Sequence, residues 1–266
     1  MKITFLGTGT STGIPLIGSS HPVCLSQNTK DKRLRSSIKI DFDDNTYIID
    51  CGPDFRQQMI NSNCKKIDGI LFTHEHADHT AGLDDIRPYC FRNGSLPIYG
   101  HKRVLDNLSN RFSYIFKNDN KYPGAPSVVS NYVDSSSCLN LNKFNVVPIS
   151  YLHADLQVYG YRFKDFAYLT DLKTIEVNEI DKLKNLDTLV LNAIRIEPHF
   201  SHLNLQEALD LIKIINPKKT YLTHISHMLG FHDDVEKELP ENVHLSYDGL
   251  VIEVNWFFHS SILTWI

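Results

Sequence analysis

Short apolar runs, many of them alternating with polar positions, recur along the chain and are bounded by Gly, Pro, Asn, Asp and Ser. This patterning predicts strands at 2–6, 37–42, 46–50, 69–73, 96–99, 144–149, 158–163, 166–170, 188–191, 220–223, 244–247 and 250–254. Helical spacing predicts helices at 54–61, 103–112, 179–183, 205–215 and 233–239. The clearest places Leu205, Ala208, Leu209 and Ile212 on one face, and Asn204 followed by Glu207 gives it a capping-box start. Strands and helices interleaved in this way imply a layered α/β fold rather than a helix bundle or a pure β-sandwich. No linker or low-complexity tract divides the chain, so residues 1–266 read as one domain. The stretch 118–137, rich in Asn, Pro, Gly and Ser, reads as a long surface loop over a site. The apolar tail, 256–266, is expected to pack back on the core, with contact to a second subunit as the alternative.

Composition changes this picture little. Hydrophobic residues make up 42% and charged residues 22% of 266, ordinary for a soluble domain that needs no disulfides to bury its core. The five cysteines, Cys24, Cys51, Cys64, Cys90 and Cys138, are odd in number and scattered, which fits reduced thiols in the cytoplasm. The first six residues form a strand pattern rather than a secretory signal, and no apolar run is long enough to span a bilayer. A net charge of −4 supplies no global field for nucleic acid. The basic stretch Lys30, Lys32, Arg33 and Arg35 reads as a solvated loop.

The candidate chemistry lies at strand ends. Apolar segments run into His74, Asp171 and His224, and a fourth leads to His153. Loop residues beyond strand ends are where layered α/β folds gather ligands. The segment Thr73-His74-Glu75-His76-Ala77-Asp78-His79 offers imidazole and carboxylate donors suited to zinc, manganese or iron. Four donors so close cannot all face one ion. The spacing offers His74 and His76 to one and Asp78 and His79 to another, with His153 completing the first set, His224 the second, and Asp171 between them. That is the pattern of a two-metal hydrolytic centre. The segment from Gly7 to Gly13 lacks the Gly-Lys-Ser/Thr ending of a phosphate loop and reads as a glycine turn near the metals.

The motif His-x-His-x-Asp-His at His74 to His79 resembles the signature of the metallo-β-lactamase superfamily. The resemblance implies a four-layer αβ/βα sandwich with metals at one edge. It assigns His74, His76 and His153 to one metal, Asp78, His79 and His224 to the other, and Asp171 to both. Asp50, in Ile-Ile-Asp-Cys-Gly, matches the buried aspartate that supports the metal loop. Further segments are similar to the cyclic ribose-phosphate phosphodiesterases of phosphonate breakdown, and to the enzymes that trim transfer RNA 3′ ends. They include Gly7-Thr8-Gly9-Thr10, Gly52-Pro53-Asp54-Phe55-Arg56, Tyr168-Leu169-Thr170-Asp171 and Tyr247-Asp248-Gly249. By that likeness His202 is the general acid, with His199 its nearest competitor. Those relatives also hold a structural zinc through a cysteine cluster and a later histidine. Here only Cys24 and His227 match, with His21 as a substitute ligand, and an intact site is not expected.

The expected function is a hydrolase with two divalent metals, zinc or manganese, acting on a small cyclic or nucleotide-like phosphodiester. A hydroxide between the metals would attack, oriented by Asp78 and Asp171, and His202 would protonate the leaving group. A transfer RNA endoribonuclease is disfavoured because no basic RNA-gripping arm is present. Thioester, lactone or β-lactam hydrolysis and a non-catalytic metal-binding assembly role are the remaining alternatives. For Arg87 and Tyr89, surface solvation is favoured over phosphate contact.

Overall fold

A computed structural model describes residues 1–117, 119, 121–136, 138–142 and 144–254, so the apolar tail at 256–266 lies outside the described residues. Within them the alternating pattern becomes β1 (Lys2–Gly7), β2 (Ser37–Phe42), β3 (Asn45–Ile49), β4 (Gly69–Leu71), β5 (Leu96–Gly100), β6 (Val128–Tyr132), β7 (Leu139–Leu141), β8 (Phe144–His153), β9 (Leu156–Phe163), β10 (Phe166–Leu169), β11 (Thr188–Asn192), β12 (Lys219–Thr223), β13 (Val243–Leu245) and β14 (Val251–Glu253). All the expected strands form. They make two seven-stranded sheets, ordered β14-β1-β2-β3-β4-β5-β6 and β13-β12-β11-β10-β9-β8-β7. Each sheet has antiparallel pairings over its first four strands in this sense (β14 to β3, β7 to β10) and parallel pairings beyond.

The period of two along each strand builds three apolar cores and hence four layers. In β3, Tyr47 and Ile49 face the core between the sheets, while Ile48 faces a core shared with the helix Phe55–Asn61. In β10 and β11, Phe166, Tyr168 and Val190 face inward. Ala167, Leu169, Leu189 and Leu191 turn the other way, onto the helix Leu205–Ile215. That helix has the expected start: Asn204 Oδ1 accepts from Glu207 N at 2.8 Å, and Glu207 Oε2 accepts from Asn204 N at 3.0 Å. Asn216, in the left-handed region at φ 54°, ends it. No helix among the described residues is long and apolar enough to cross a membrane.

Three expectations need correction. The stretch read as a surface loop contains β6, which pairs in parallel with β5 as the edge of its sheet. Strand β8 continues past residue 149 to His153, which pairs with Leu156 across a tight turn, so this histidine is the last residue of its strand. The basic stretch is not a solvated loop. Arg33 is buried, and its Nη1 donates to Thr8 Oγ1 at 2.8 Å and to the Ser246 carbonyl at 2.6 Å. Its Nη2 lies 3.1 Å from Nδ1 of buried His232. Arg35 pairs with Asp54 at 3.0 Å. A buried guanidinium needs such partners, and they come from both ends of the chain.

His232 accepts from Arg33, so its ring must stay neutral. Burial first, then Arg33 and Lys30, lower its pKa from 6.5 to about 4 against the pull of Glu236 and Asp233. Above pH 6.5 folded and unfolded rings are both neutral. Between pH 6.5 and 4 the unfolded ring binds the proton and the folded one does not, so this part of the stability is lost on acidification. His232→Asn, which keeps an acceptor for Arg33 without a titrating ring, should flatten the fall in Tm across that window relative to the unsubstituted protein. Parallel curves would show that His232 does not set the acid limit.

Candidate metal centre

The parallel strands of both sheets end at one edge, and the polar residues beyond them meet there. His74 follows β4, Asp171 follows β10 and His224 directly follows β12. Asp50, Asp171 and His224 all adopt left-handed backbone, at φ 64°, 59° and 56°. Such positions are uncommon outside glycine and are held only when surrounding contacts over-determine them. At Asp171 the contacts are visible. Buried Asn192 accepts from Leu172 N at 2.7 Å and donates to its carbonyl at 3.1 Å, and Tyr151 donates to the Thr170 carbonyl at 2.6 Å.

The metal-type loop rests on the turn after β3. Cys51 N donates to the His79 carbonyl at 2.8 Å and Gly82 N to the Cys51 carbonyl at 2.9 Å. A Cβ at Gly52 would stand 2.0 Å from the Asp78 carbonyl oxygen, so only glycine allows this approach. From helix Lys102–Arg111, Arg103 pairs with Glu75 at 2.9 Å, and Arg111 donates to the Glu75 carbonyl and to Thr80 Oγ1, each at 2.9 Å. Neither arginine stood out in the sequence, because their partners are set by the docking of a helix onto a loop.

Converging donor atoms form three groups among the described residues, each with its atoms within 4.8 Å of one another. They are Asp78, His79, Asp171 and His224; His74, His76 and Asp171; and His153, Asp171 and His202. Asp171 belongs to all three. His79 Nε2 lies 3.2 Å from Asp78 and 3.4 Å from Asp171, and His224 Nε2 lies 3.3 Å from Asp171. The His153 ring stands 5.2 Å from that of His76 and 4.3 Å from that of His202. His21, Cys24 and His227 do not form such a group. The His21 and His227 rings stand 4.7 Å apart, but His21 Nδ1 accepts from Val23 N as a helix cap.

Hydrogen bonds behind the rings leave the facing nitrogens free. His79 Nδ1 donates to Asp50 at 2.7 Å, His153 Nδ1 to the Ser201 carbonyl at 2.7 Å, and His74 Nδ1 lies 3.0 Å from Thr73 Oγ1. Thr73 in turn donates to Asp50 through its N at 2.9 Å and its hydroxyl at 2.8 Å. Nε2 of His74, His79 and His224 is buried without a hydrogen-bond partner among the described residues. Buried polar atoms are seldom left so, and a divalent cation supplies what they lack. The charges agree. Burial disfavours a charged His79, yet Asp78, Asp171 and Asp50 outweigh it and hold its pKa well above the ordinary value. Burial pushes Asp171 up, but His224 and His79 more than offset it, so the carboxylate stays ionised. A pocket with this excess of buried carboxylate favours positive charge.

The other candidates fall elsewhere or play another part. His202 is buried, stacked on His224 at 4.8 Å, with Nδ1 3.9 Å from Asp171. Burial lowers its pKa to about 2, partly countered by Asp171, so the free ring is neutral. His199 packs against it at 5.1 Å. Arg87 is committed to Asp84 and Tyr122, and Tyr89 is buried with its hydroxyl donating to the Cys64 carbonyl at 3.1 Å, so neither reaches the centre with free donors. The glycine turn does lie beside the centre: Ile225, next to His224, donates to the Thr8 carbonyl at 2.9 Å.

Comparison with known proteins fits this architecture. Residues 45–225 match the family model described as the beta-lactamase superfamily domain. A solved structure described as a new diphosphatase from the PhnP family superposes with a TM-score of 0.88 at 37% identity, covering 94% of this chain and 96% of that one. The chain belongs to the metallo-β-lactamase superfamily. Within it, the likeness to the PhnP family extends over nearly its whole length. A protein of Porphyromonas gingivalis named octanoyltransferase is 38% identical over 252 residues, which are 94% of this chain and 51% of that protein. A ribonuclease Z of Methanococcus maripaludis is 32% identical over 118 residues, 41% of this chain and 33% of that enzyme. The chain thus spans about half of one of these curated relatives and a third of the other.

If Asp50 orients His79 as the bonds indicate, Asp50→Asn should weaken zinc or manganese binding about 10- to 100-fold, the usual effect of removing such a supporting group. Thr73→Val, which keeps the charge of Asp50 and loses the hydroxyl's contacts with Asp50 and His74, should fall between. Competition against a chromophoric chelator measures both, and unchanged affinity in the two variants would remove Asp50 from this role.

Proposed function

We propose that this chain is a phosphodiesterase with two divalent metals, zinc or manganese, acting on a small nucleotide-like or cyclic phosphate. The observation that carries the reading is the double use of Asp171: its carboxylate stands among His74 and His76 on one side and Asp78, His79 and His224 on the other. His74, His76 and His153 would hold one ion, Asp78, His79 and His224 the second, and Asp171 both. His153 falls in the group with His202, and its place in the first set rests on the approach of its ring to His76 at 5.2 Å and His74 at 5.9 Å. When bound, such ions polarise a phosphoryl group and make hydroxide available near neutral pH.

The chain's own groups do the rest. Asp78 is held ionised: burial raises its pKa, but His79 and His224 overcome this and keep it well below the ordinary carboxylate range. It can accept a hydrogen bond from the attacking water and orient it. His202, whose Nδ1 lies 3.9 Å from Asp171 and which neither set takes as a ligand, would protonate the departing oxygen. Its ring is neutral in the free protein, so it would take up a proton from solvent as the substrate binds, the anionic phosphoryl offsetting the cost of charging a buried imidazole. The phosphoryl chemistry in the names of the diphosphatase and ribonuclease Z relatives supports this choice of bond. The octanoyltransferase name does not favour acyl transfer here, since half of that protein lies outside the match.

Metal-loaded protein should hydrolyse bis(p-nitrophenyl) phosphate, and metal-stripped protein should not. His202→Ala should slow a diester with a poor leaving group about 10²- to 10⁴-fold, the range for a general acid, and a p-nitrophenyl ester far less. Equal losses on both esters would remove His202 from proton transfer. No turnover with metal verified as bound would turn the assignment toward thioesters and lactones.

A further inference from the structure

Phe200 is the most exposed aromatic side chain among the described residues, at 80% of its free surface, and it lies two positions before His202. A single exposed apolar residue is ordinary. This one is held in place. Its ring stacks on His199 with centroids 5.1 Å apart and planes inclined by 26°. His199 stands 5.1 Å from His202, and His202 stacks on His224 at 4.8 Å with planes inclined by 26°. A continuous file of rings therefore runs from the centre to solvent, ending in an uncovered aromatic face.

The loop carrying Phe200 is fastened at several points. Arg195 donates to the carbonyls of Glu197 at 3.1 Å and Pro198 at 2.5 Å, Asn204 Nδ2 to Ile196 at 3.1 Å, and Leu205 N to Arg195 at 2.9 Å. Next to Phe200, Ser201 N donates to His199 Nδ1 at 3.3 Å, while the Ser201 carbonyl accepts from His153. The backbone on either side of Phe200 is thus fastened to the segment that touches the centre, and the ring itself rests on His199. A flat aromatic face fixed in this way binds another planar π-system by stacking.

We infer that Phe200, backed by His199, is a stacking platform for the base of a base-bearing phosphate, making it a specificity-determining residue that separates nucleotides from bare sugar phosphates. The inference rests on the phosphodiester reading and narrows its substrate class. A nucleotide with its phosphate at the centre and its ribose extended along the file of rings would bring its base to Phe200.

Calorimetric titration of the metal-loaded protein with adenosine 5′-monophosphate and with ribose 5-phosphate tests this without turnover. The nucleotide should bind about 5- to 100-fold more tightly, the range that base–aromatic stacking supplies. Phe200→Ala should close that gap and leave ribose 5-phosphate affinity unchanged, and Phe200→Trp should restore it. Because the side chain is exposed, Tm should hardly move in either variant. No preference for the nucleotide, a preference that survives Phe200→Ala, or no binding of either ligand would overturn the inference. Hydrolysis of bis(p-nitrophenyl) phosphate reports separately on the activity. Diester turnover without base preference removes the platform alone, whereas a Phe200-dependent preference without diester turnover removes the activity and keeps the platform.

Discussion

The carboxylate of Asp50 is buried beneath the metal-type loop, and the geometry of the centre follows from the way its charge is satisfied. It accepts from Thr73 N, Thr73 Oγ1 and His79 Nδ1, all within 2.9 Å. An ionised carboxyl removed from water without such partners would cost several kcal/mol. Burial indeed raises its pKa, and only His79 and the Thr73 bonds oppose the rise. The three bonds therefore act in both directions: they keep Asp50 tolerable inside the protein, and they fix two consecutive features of the loop. His79 is turned so that Nε2 faces the other donors, and Thr73 is left to meet His74 Nδ1. One buried charge thereby orders the rings of two histidines that it does not itself present to the centre.

The two sheets carry the same pattern of antiparallel and parallel pairings, so β3 occupies in one sheet the place of β10 in the other. Both strands run into an aspartate in the left-handed region, Asp50 after β3 and Asp171 after β10. The equivalence ends at the side chain. Asp50 points beneath the loop and is consumed by hydrogen bonds, whereas Asp171 stands among imidazoles and belongs to every converging group. The centre is asymmetric for this reason: one half supplies a loop and its support, and the other supplies ligands from strand ends.

Much of this was legible in the sequence because it depends on local periodicity. Strands with one or two apolar faces declare themselves, and so does a capped amphipathic helix such as Leu205–Ile215. The edge strand β6 did not, since Val128–Tyr132 is half-exposed and set in a stretch whose composition is that of a loop. The motif from His74 to His79 was plain, and the distant donors His153, Asp171 and His224 were found because each follows an apolar run. What the sequence concealed is contact between remote segments. Arg33 sits in a basic stretch that looks solvated, and only the fold brings Thr8, Ser246 and His232 around it. Asn192 and Arg103 carry no signal of their own either, because one latches a turn in another strand connection and the other a loop on another element. His21, Cys24 and His227 show the reverse: a resemblance in sequence that does not become a converging set of donors.

Exposure around the centre gives it a direction. His74, His79 and His224 are buried with their free nitrogens, while His76 reaches solvent. The closed side is the one braced by Asp50, Thr73 and the turn at Gly52, where almost nothing can move without displacing a backbone contact. The open side is bounded by the segment from Arg195 to Asn204, which holds His202 inside and Phe200 outside on the same short run of chain. Rigid support on one face and a fastened but solvent-facing loop on the other would suit the proposed hydrolysis of a small phosphate. On the proposed reading, the chemistry rests on buried residues that tolerate little change, and the choice of substrate falls to a surface segment whose tip can vary without disturbing them.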